Sequence, residues 1–231
     1  MSDGKAGVLF DVDGTLVDTS YLHTVTWWQA CHEYGHDVPM ARVHQAIGMG
    51  SDKLIDHLLG SDRDREHDEE LKTAHLTLYA TYWERLRPLP GAADLLRAVA
   101  GRGLTVVLAS SASARELEVL CKAIDADDAI DVATSASDAG ASKPDPDILG
   151  VALERSGLSP DRALLVGDAV WDVDAAARAG LRCIGLTCGG ICAAELRAAG
   201  AVETYDDPAA LRDALDGSAI AGLVRAESRT G

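Results

Sequence analysis

The run Phe10-Asp11-Val12-Asp13-Gly14-Thr15-Leu16-Val17-Asp18 sets two carboxylates two residues apart, directly behind the apolar triplet Val8-Leu9-Phe10. An aspartate at the end of a buried strand can serve as nucleophile or metal ligand. A second one two residues on can protonate a leaving oxygen and then activate water. Gly14 lets the chain turn sharply, and the Thr15 hydroxyl can hold the loop. Asp-x-Asp-Gly alone is equally an Asx-rich turn. The strand before it and the Thr-Leu-Val-Asp after it favour the chemical reading.

Three later segments supply partners. Ser110 and Ser111, after the apolar run ending at Ala109, offer hydroxyls and turn amides to phosphate oxygens. The plain alternative for Ser110 is a cap for the helix near 113. Lys143, ahead of Pro144, is a cation that could pair with Asp11 and with phosphate; taken alone it is an ordinary surface lysine. Val166-Gly167-Asp168, followed by Asp172, adds two carboxylates. Together with Asp11 they make an oxygen-rich site suited to a hard cation such as magnesium. Asp174 reads as a solvated helix residue.

The elements that must position these groups follow from patterning. Val8 to Phe10 is a short buried strand. Residues 20–34, 40–59 and 65–86 read as helices with no strand between them, closed by the rigid Pro88-Leu89-Pro90-Gly91. Beyond it, helices (91–100, 113–122, 144–156, 171–179) alternate with strands (104–109, 130–133, 163–166, 181–186), which demands a parallel sheet with helices on both faces. From about 217 the pattern weakens and fraying is expected. Asp11, Ser110 and Asp168 each follow a strand. In doubly wound sheets ligands bind outside the carboxyl ends of strands, so these distant residues should meet in one crevice.

Bulk properties narrow the function classes. The 231 residues carry a formal net charge of −16, so phosphate backbones are repelled and no nucleic-acid partner is expected. An acidic enzyme for anionic phosphoesters needs a cation to screen its own carboxylates. Five cysteines, odd in number and without a CxxC, argue against a disulfide framework and for a reducing cytoplasm. Cys188 and Cys192 lack the partners a zinc site needs. No apolar run of about 18 residues spans a membrane, and no signal peptide is evident.

In this order and on these strands, the motifs resemble the haloacid dehalogenase (HAD) superfamily over residues 6–215. The resemblance implies an α/β fold: a Rossmann-like doubly wound parallel sheet core (1–18 and 88–231) with an inserted all-α helical cap domain (19–87). It implies Asp11 as aspartyl nucleophile, and Asp13 as general acid/base that also ligates Mg2+ through its backbone carbonyl. It implies Ser110 and Lys143 as holders of the phosphoryl group, and Asp168 with Asp172 at the metal.

The family spans several chemistries. Asp13 favours phosphoester work, because the dehalogenase and phosphonatase branches lack that carboxylate. The expected activity is phosphatase, of the phosphoglycolate phosphatase kind, on a small phosphorylated metabolite. The rival is a β-phosphoglucomutase-type mutase, since that enzyme has a histidine where His23 stands. Gly167-Asp168 with Asp172 and the absence of a cap arginine near Gly48-Met49-Gly50-Ser51 oppose it. A non-catalytic binding protein on the same fold would be expected to lose motif carboxylates, and this chain keeps them. In the cap, Gly50 is expected to allow close substrate approach, Lys53 to meet a distal anionic group and His23 to lie at the hinge or pocket; Ser51 is a pocket residue or a helix cap. Trp27 and Trp28 read as packing, and His57, His67 and His75 show no ligand spacing. Monomer and homodimer both stay open.

Overall fold

A computed structural model describes residues 5–138 and 143–227. Six strands form one parallel sheet: β1 Gly7–Phe10, β2 Thr105–Ala109, β3 Val132–Thr134, β4 Ala163–Gly167, β5 Arg182–Leu186 and β6 Glu203–Tyr205. Their order is β3-β2-β1-β4-β5-β6, so the winding reverses between β1 and β4. This is a Rossmann-like α/β core, as the resemblance implies. β1 and β4 are buried along their whole length, as strands covered on both faces must be, and they read as unbroken apolar runs.

Alternation splits the core in two. Val8, Phe10, Leu108, Val166 and Ile184 point to one face, under helices α5 (Ala92–Ala100), α6 (Ala114–Ile124), α10 (Pro208–Asp213) and α11 (Ala219–Glu227). Leu9, Val107 and Leu165 point to the other, under α7 (Asp147–Ser156) and α8 (Val170–Arg178). Leu9 is fully buried; Leu9→Ala would cost about 2–5 kcal/mol.

Between β1 and α5 four helices are inserted: α1 Ser20–Glu33, α2 Met40–Ala46, α3 Ser51–Leu59 and α4 Asp68–Ala80. They enclose a separate apolar cluster that includes Trp27, Val43, Leu54, Ile55, Leu58 and Leu71. The chain leaves and re-enters the sheet side by side. Asp18 N–H donates to Arg87 O at 3.0 Å, and Leu89 N–H to Leu16 O at 2.9 Å.

Several boundaries differ from the sequence expectation. The helix expected over 40–59 breaks at Gly48, whose φ of +99° suits glycine and no helix. The one expected over 65–86 starts at Asp68, where three acidic residues fill the first turn, and stops at Ala80 before a single tight turn at Trp83–Arg85. Pro88 then disfavours helical backbone at Arg87. The helix expected from Pro144 begins at Asp147, because Pro146 disfavours helical backbone at Asp145. Past β5, α9 (Ala193–Ala199), β6 and α10 are additions to the sequence reading. The expected fraying from about 217 is also corrected. α11 is a regular helix whose Ile220 and Leu223 are buried in the core, while 228–231 lie outside the described residues. No helix among the described residues is long and apolar enough to cross a membrane, and the five cysteines are free thiols.

Candidate active site

Register brings the predicted residues together. Phe10 pairs with Leu108 on one side and Val166 on the other. The residues just past these strands, Asp11, Ser110 and Asp168, therefore leave the same edge at the winding reversal. Asp11 is 5% exposed, and its Oδ1 receives a hydrogen bond from Lys143 Nζ at 2.5 Å. Lys143 is fully buried and also lies 2.8 Å from Asp172 Oδ1. The second oxygen of Asp172 accepts the Ala169 N–H at 3.0 Å, which fixes that carboxylate at the start of α8. The Thr15 hydroxyl lies 2.8 Å from Asp168 Oδ1 and 3.2 Å from Asp11 Oδ2, and can donate to one of them at a time.

Asp11, Asp168 and Asp172 each offer an oxygen within 4.8 Å of the others. Three buried carboxylates face one ammonium, and the imbalance shows at Asp11 and Asp168. Burial pushes Asp11 up to about 7, against the pull of Lys143. Burial, with Asp11 and Asp172 alongside, holds Asp168 well above the usual carboxylate range. Burial would lower Lys143, yet the two carboxylates raise it, so it stays protonated. An all-oxygen, over-acidic cluster of this kind fits a hard divalent cation such as magnesium and gives a soft metal no ligand. Two glycines keep the approach to Asp168 open. A Cβ at Gly14 would stand 2.5 Å from Asp168 Oδ2, and one at Gly189 would overlap it.

Asp13 sits beside this cluster, held by Thr19 Oγ1 at 2.8 Å and His23 Nε2 at 3.1 Å. Burial alone would raise its pKa. The His23 hydrogen bond and charge, with Thr19 and Lys143, outweigh burial and keep it below the ordinary value. His23 answers in the opposite sense. Burial would lower it, but Asp13 chiefly, then Glu116 and Asp11, raise it. Its ring stacks on Tyr79 at 4.0 Å.

Asp11 and Asp13 open into a cavity of about 330 Å³ between the sheet edge and the inserted helices. Ser111 lines it, and its buried hydroxyl has no hydrogen-bond partner. Ser110 is fully buried, with its Oγ accepting the Ala112 N–H at 3.0 Å. The cap of α6 is Ser113, which exchanges hydrogen bonds with Glu116. Ser51 lines the cavity and makes no capping bond to α3. Gly50 lies beside the lining rather than in it, its N–H donating to Lys143 O at 3.2 Å. Lys53 points elsewhere and pairs with Asp145 at 3.0 Å. Asp174 is on the surface, paired with Arg178 at 2.8 Å.

Several lining residues had no site role in the sequence reading, among them Trp27, Lys72, His75 and Glu116. Trp27 packs as expected, yet one side of it also faces the cavity. It stacks on His75 at 4.0 Å and 9°. His75 is held neutral by burial, and its Nδ1 is 3.0 Å from Thr26 Oγ1. The one sequence signal for any of these was the capping-box spacing Ser113-x-x-Glu116.

A seam of polar contacts closes the inserted helices onto the sheet edge. His44 Nε2 meets Gly189 O at 2.8 Å, Trp171 Nε1 donates to Gln45 O at 2.9 Å, and Lys53 reaches Asp145. The turn carrying Gly189 also holds Cys188, whose thiol lies 3.2 Å from Gly14 O.

Residues 5–180 match the family model described as haloacid dehalogenase-like hydrolase. The chain belongs to that family. It is an enzyme of the family's phosphatase type. A phosphoglycolate phosphatase of Nitrosospira multiformis is 31% identical over 179 residues, covering 75% of this chain and 79% of that protein. An N-acetylmuramic acid 6-phosphate phosphatase of Pseudomonas aeruginosa is 29% identical, with coverages of 90% and 94%. Among solved structures, a hydrolase from Pseudomonas syringae superposes with a TM-score of 0.87 at 32% identity, covering 92% of this chain and 99% of that one. The HAD-type resemblance read from the motifs is therefore shown by sequence and by fold.

Proposed function

We propose that the protein is a magnesium-dependent phosphatase that hydrolyses a small phosphomonoester through an aspartyl phosphate on Asp11. The observation that carries the reading is the placement of Asp11. One of its oxygens is held by Lys143, it stands within 4.8 Å of the Asp168 and Asp172 oxygens, and it opens into the same cavity as Asp13.

Asp168, Asp172 and Asp11 would hold the magnesium ion, with the backbone carbonyl of Asp13 as a further ligand. When bound, it supplies positive charge that neutralises the carboxylates and the phosphoryl oxygens. The other parts are the chain's own. The Asp11 carboxylate attacks phosphorus as the bond to the leaving oxygen breaks. Lys143 steadies charge on the transferring group, where positioning and electrostatics do most of the work. Asp13 gives the leaving oxygen a proton, then takes one from the water that cleaves the acyl phosphate and restores Asp11. His23 at 3.1 Å is the proton reservoir for Asp13, because it favours its protonated form while Asp13 favours the carboxylate. Residues 19–87 act as a cap that keeps bulk water from the first step.

Phosphate release from p-nitrophenyl phosphate and a panel of phosphorylated metabolites tests this with magnesium, with EDTA, and with Asp11→Asn. Activity that survives EDTA or the substitution would end the proposal. The mutase alternative needs a second phosphate site. Among the described lining residues the one lysine or arginine is Lys72, which is already 2.8 Å from Glu69.

A further inference from the structure

Given the phosphatase proposal, on which this step rests, we infer that the leaving group is neutral and hydroxylated, a polyol or sugar rather than a hydroxy acid or a bisphosphate, and that Glu116 accepts a hydrogen bond from one of its hydroxyls. The argument begins with charge. Besides Asp11 and Asp13, Glu116 is the third acid lining the cavity, and it is only 4% exposed. Lys72 is the single lysine or arginine among the described lining residues, and Glu69 already engages it. His75 is neutral. Once the reacting phosphate has taken Lys143 and the metal, a second anionic group would be stripped of water beside Glu116 with no guanidinium fork to receive it. Burying an unpaired charge in this way is strongly disfavoured.

The remaining surfaces suit a neutral partner. Burial raises Glu116 above its ordinary value, and a carboxyl oxygen there accepts from hydroxyl donors in either protonation state. The capping box occupies Glu116 Oε2 with the Ser113 N–H at 3.2 Å, which leaves Oε1 for a ligand. The unpartnered Ser111 hydroxyl can donate or accept. Trp27 and His75, stacked face to face at 4.0 Å, line the same cavity with Met49 and Leu54 and offer apolar contact to the carbon-bearing part of a polyol or sugar. The cavity, about 330 Å³, lies at the small end of the roughly 300–1,000 Å³ typical of ligand pockets.

The test pairs substrates that differ by one group. At pH 8 with magnesium, kcat/KM is measured for 2-hydroxyethyl phosphate against phosphoglycolate, and for glycerol 3-phosphate against 3-phosphoglycerate. In each pair CH2OH replaces a carboxylate on the same skeleton. Each alcohol should exceed its acid by about tenfold or more. Glu116→Gln keeps an acceptor for the capping box, and should let the acids gain about tenfold relative to the alcohols. Acids turned over as fast as the alcohols, or a ratio unmoved by Glu116→Gln, would overturn the assignment. Turnover of p-nitrophenyl phosphate alongside a preference for acids removes the substrate class alone. No turnover of any ester removes the phosphatase proposal and this inference with it.

Discussion

Lys143→Met isolates the electrostatic logic of the site. The ammonium is fully buried and joins Asp11 at 2.5 Å to Asp172 at 2.8 Å. Methionine matches its length and apolar stem but leaves three buried carboxylates with no cation. Removing one partner of a buried pair costs about 3–5 kcal/mol. For a chain of this size each kcal/mol moves the melting temperature by about 2–4 °C, so the apoprotein should melt roughly 6–20 °C lower. The loss must depend on pH. Burial already raises Asp11 to about 7, far above an unfolded carboxylate. Its favourable contribution to folding is therefore complete below about pH 4 and is lost as pH rises through about 7. Without Lys143 the folded value climbs further, and the loss continues into more alkaline solution. Melting curves in EDTA from pH 5 to 8.5 should show the gap between variant and wild type widening with pH. A gap that stays constant, or no gap at all, would refute the charge argument. Circular dichroism at pH 5 checks that the variant still folds.

Asp11→Asn should lower kcat by a factor of roughly 10⁴–10⁶, while in EDTA at pH 8 the apoprotein melts no lower than wild type, because one member of an over-acidic cluster is gone. Thermal shift with magnesium should stabilise the wild type by about 2.7 kcal/mol at a hundred times Kd, and Asp168→Asn should abolish that shift; an equal shift in the variant would place the ion elsewhere. His23→Ala removes the chief influence that holds Asp13 low, so the acidic limb of the kcat/KM profile should move to higher pH by about one unit. An unmoved limb would detach His23 from Asp13.

What the sequence disclosed follows from range. Asp11, Ser110 and Asp168 were legible because each follows an apolar run, and a parallel sheet must gather those ends at one edge; Asp13 was legible from its place two residues past Asp11. Lys143 and Asp172 came from short motifs in the same order. The cavity wall was another matter. Trp27 and His75 stand 48 positions apart in the chain and meet only through the packing of α1 against α4. Nothing in either local pattern marks that meeting. Lys53 read as a pocket cation because it follows the Gly-Met-Gly-Ser loop, yet α3 turns it toward Asp145. The unforeseen elements past Leu186 are three to nine residues long, too brief for periodicity to declare itself.

Gly189 ends up with two neighbours of unlike kind. Its α-carbon has no room for a side chain because Asp168 fills that space, and its carbonyl is the anchor for His44. A single peptide thus touches a carboxylate of the acidic cluster and the helix that leads into the cavity-lining segment Ile47-Gly48-Met49. A side chain at Gly189 would therefore disturb the acidic cluster and the contact with α2 at once.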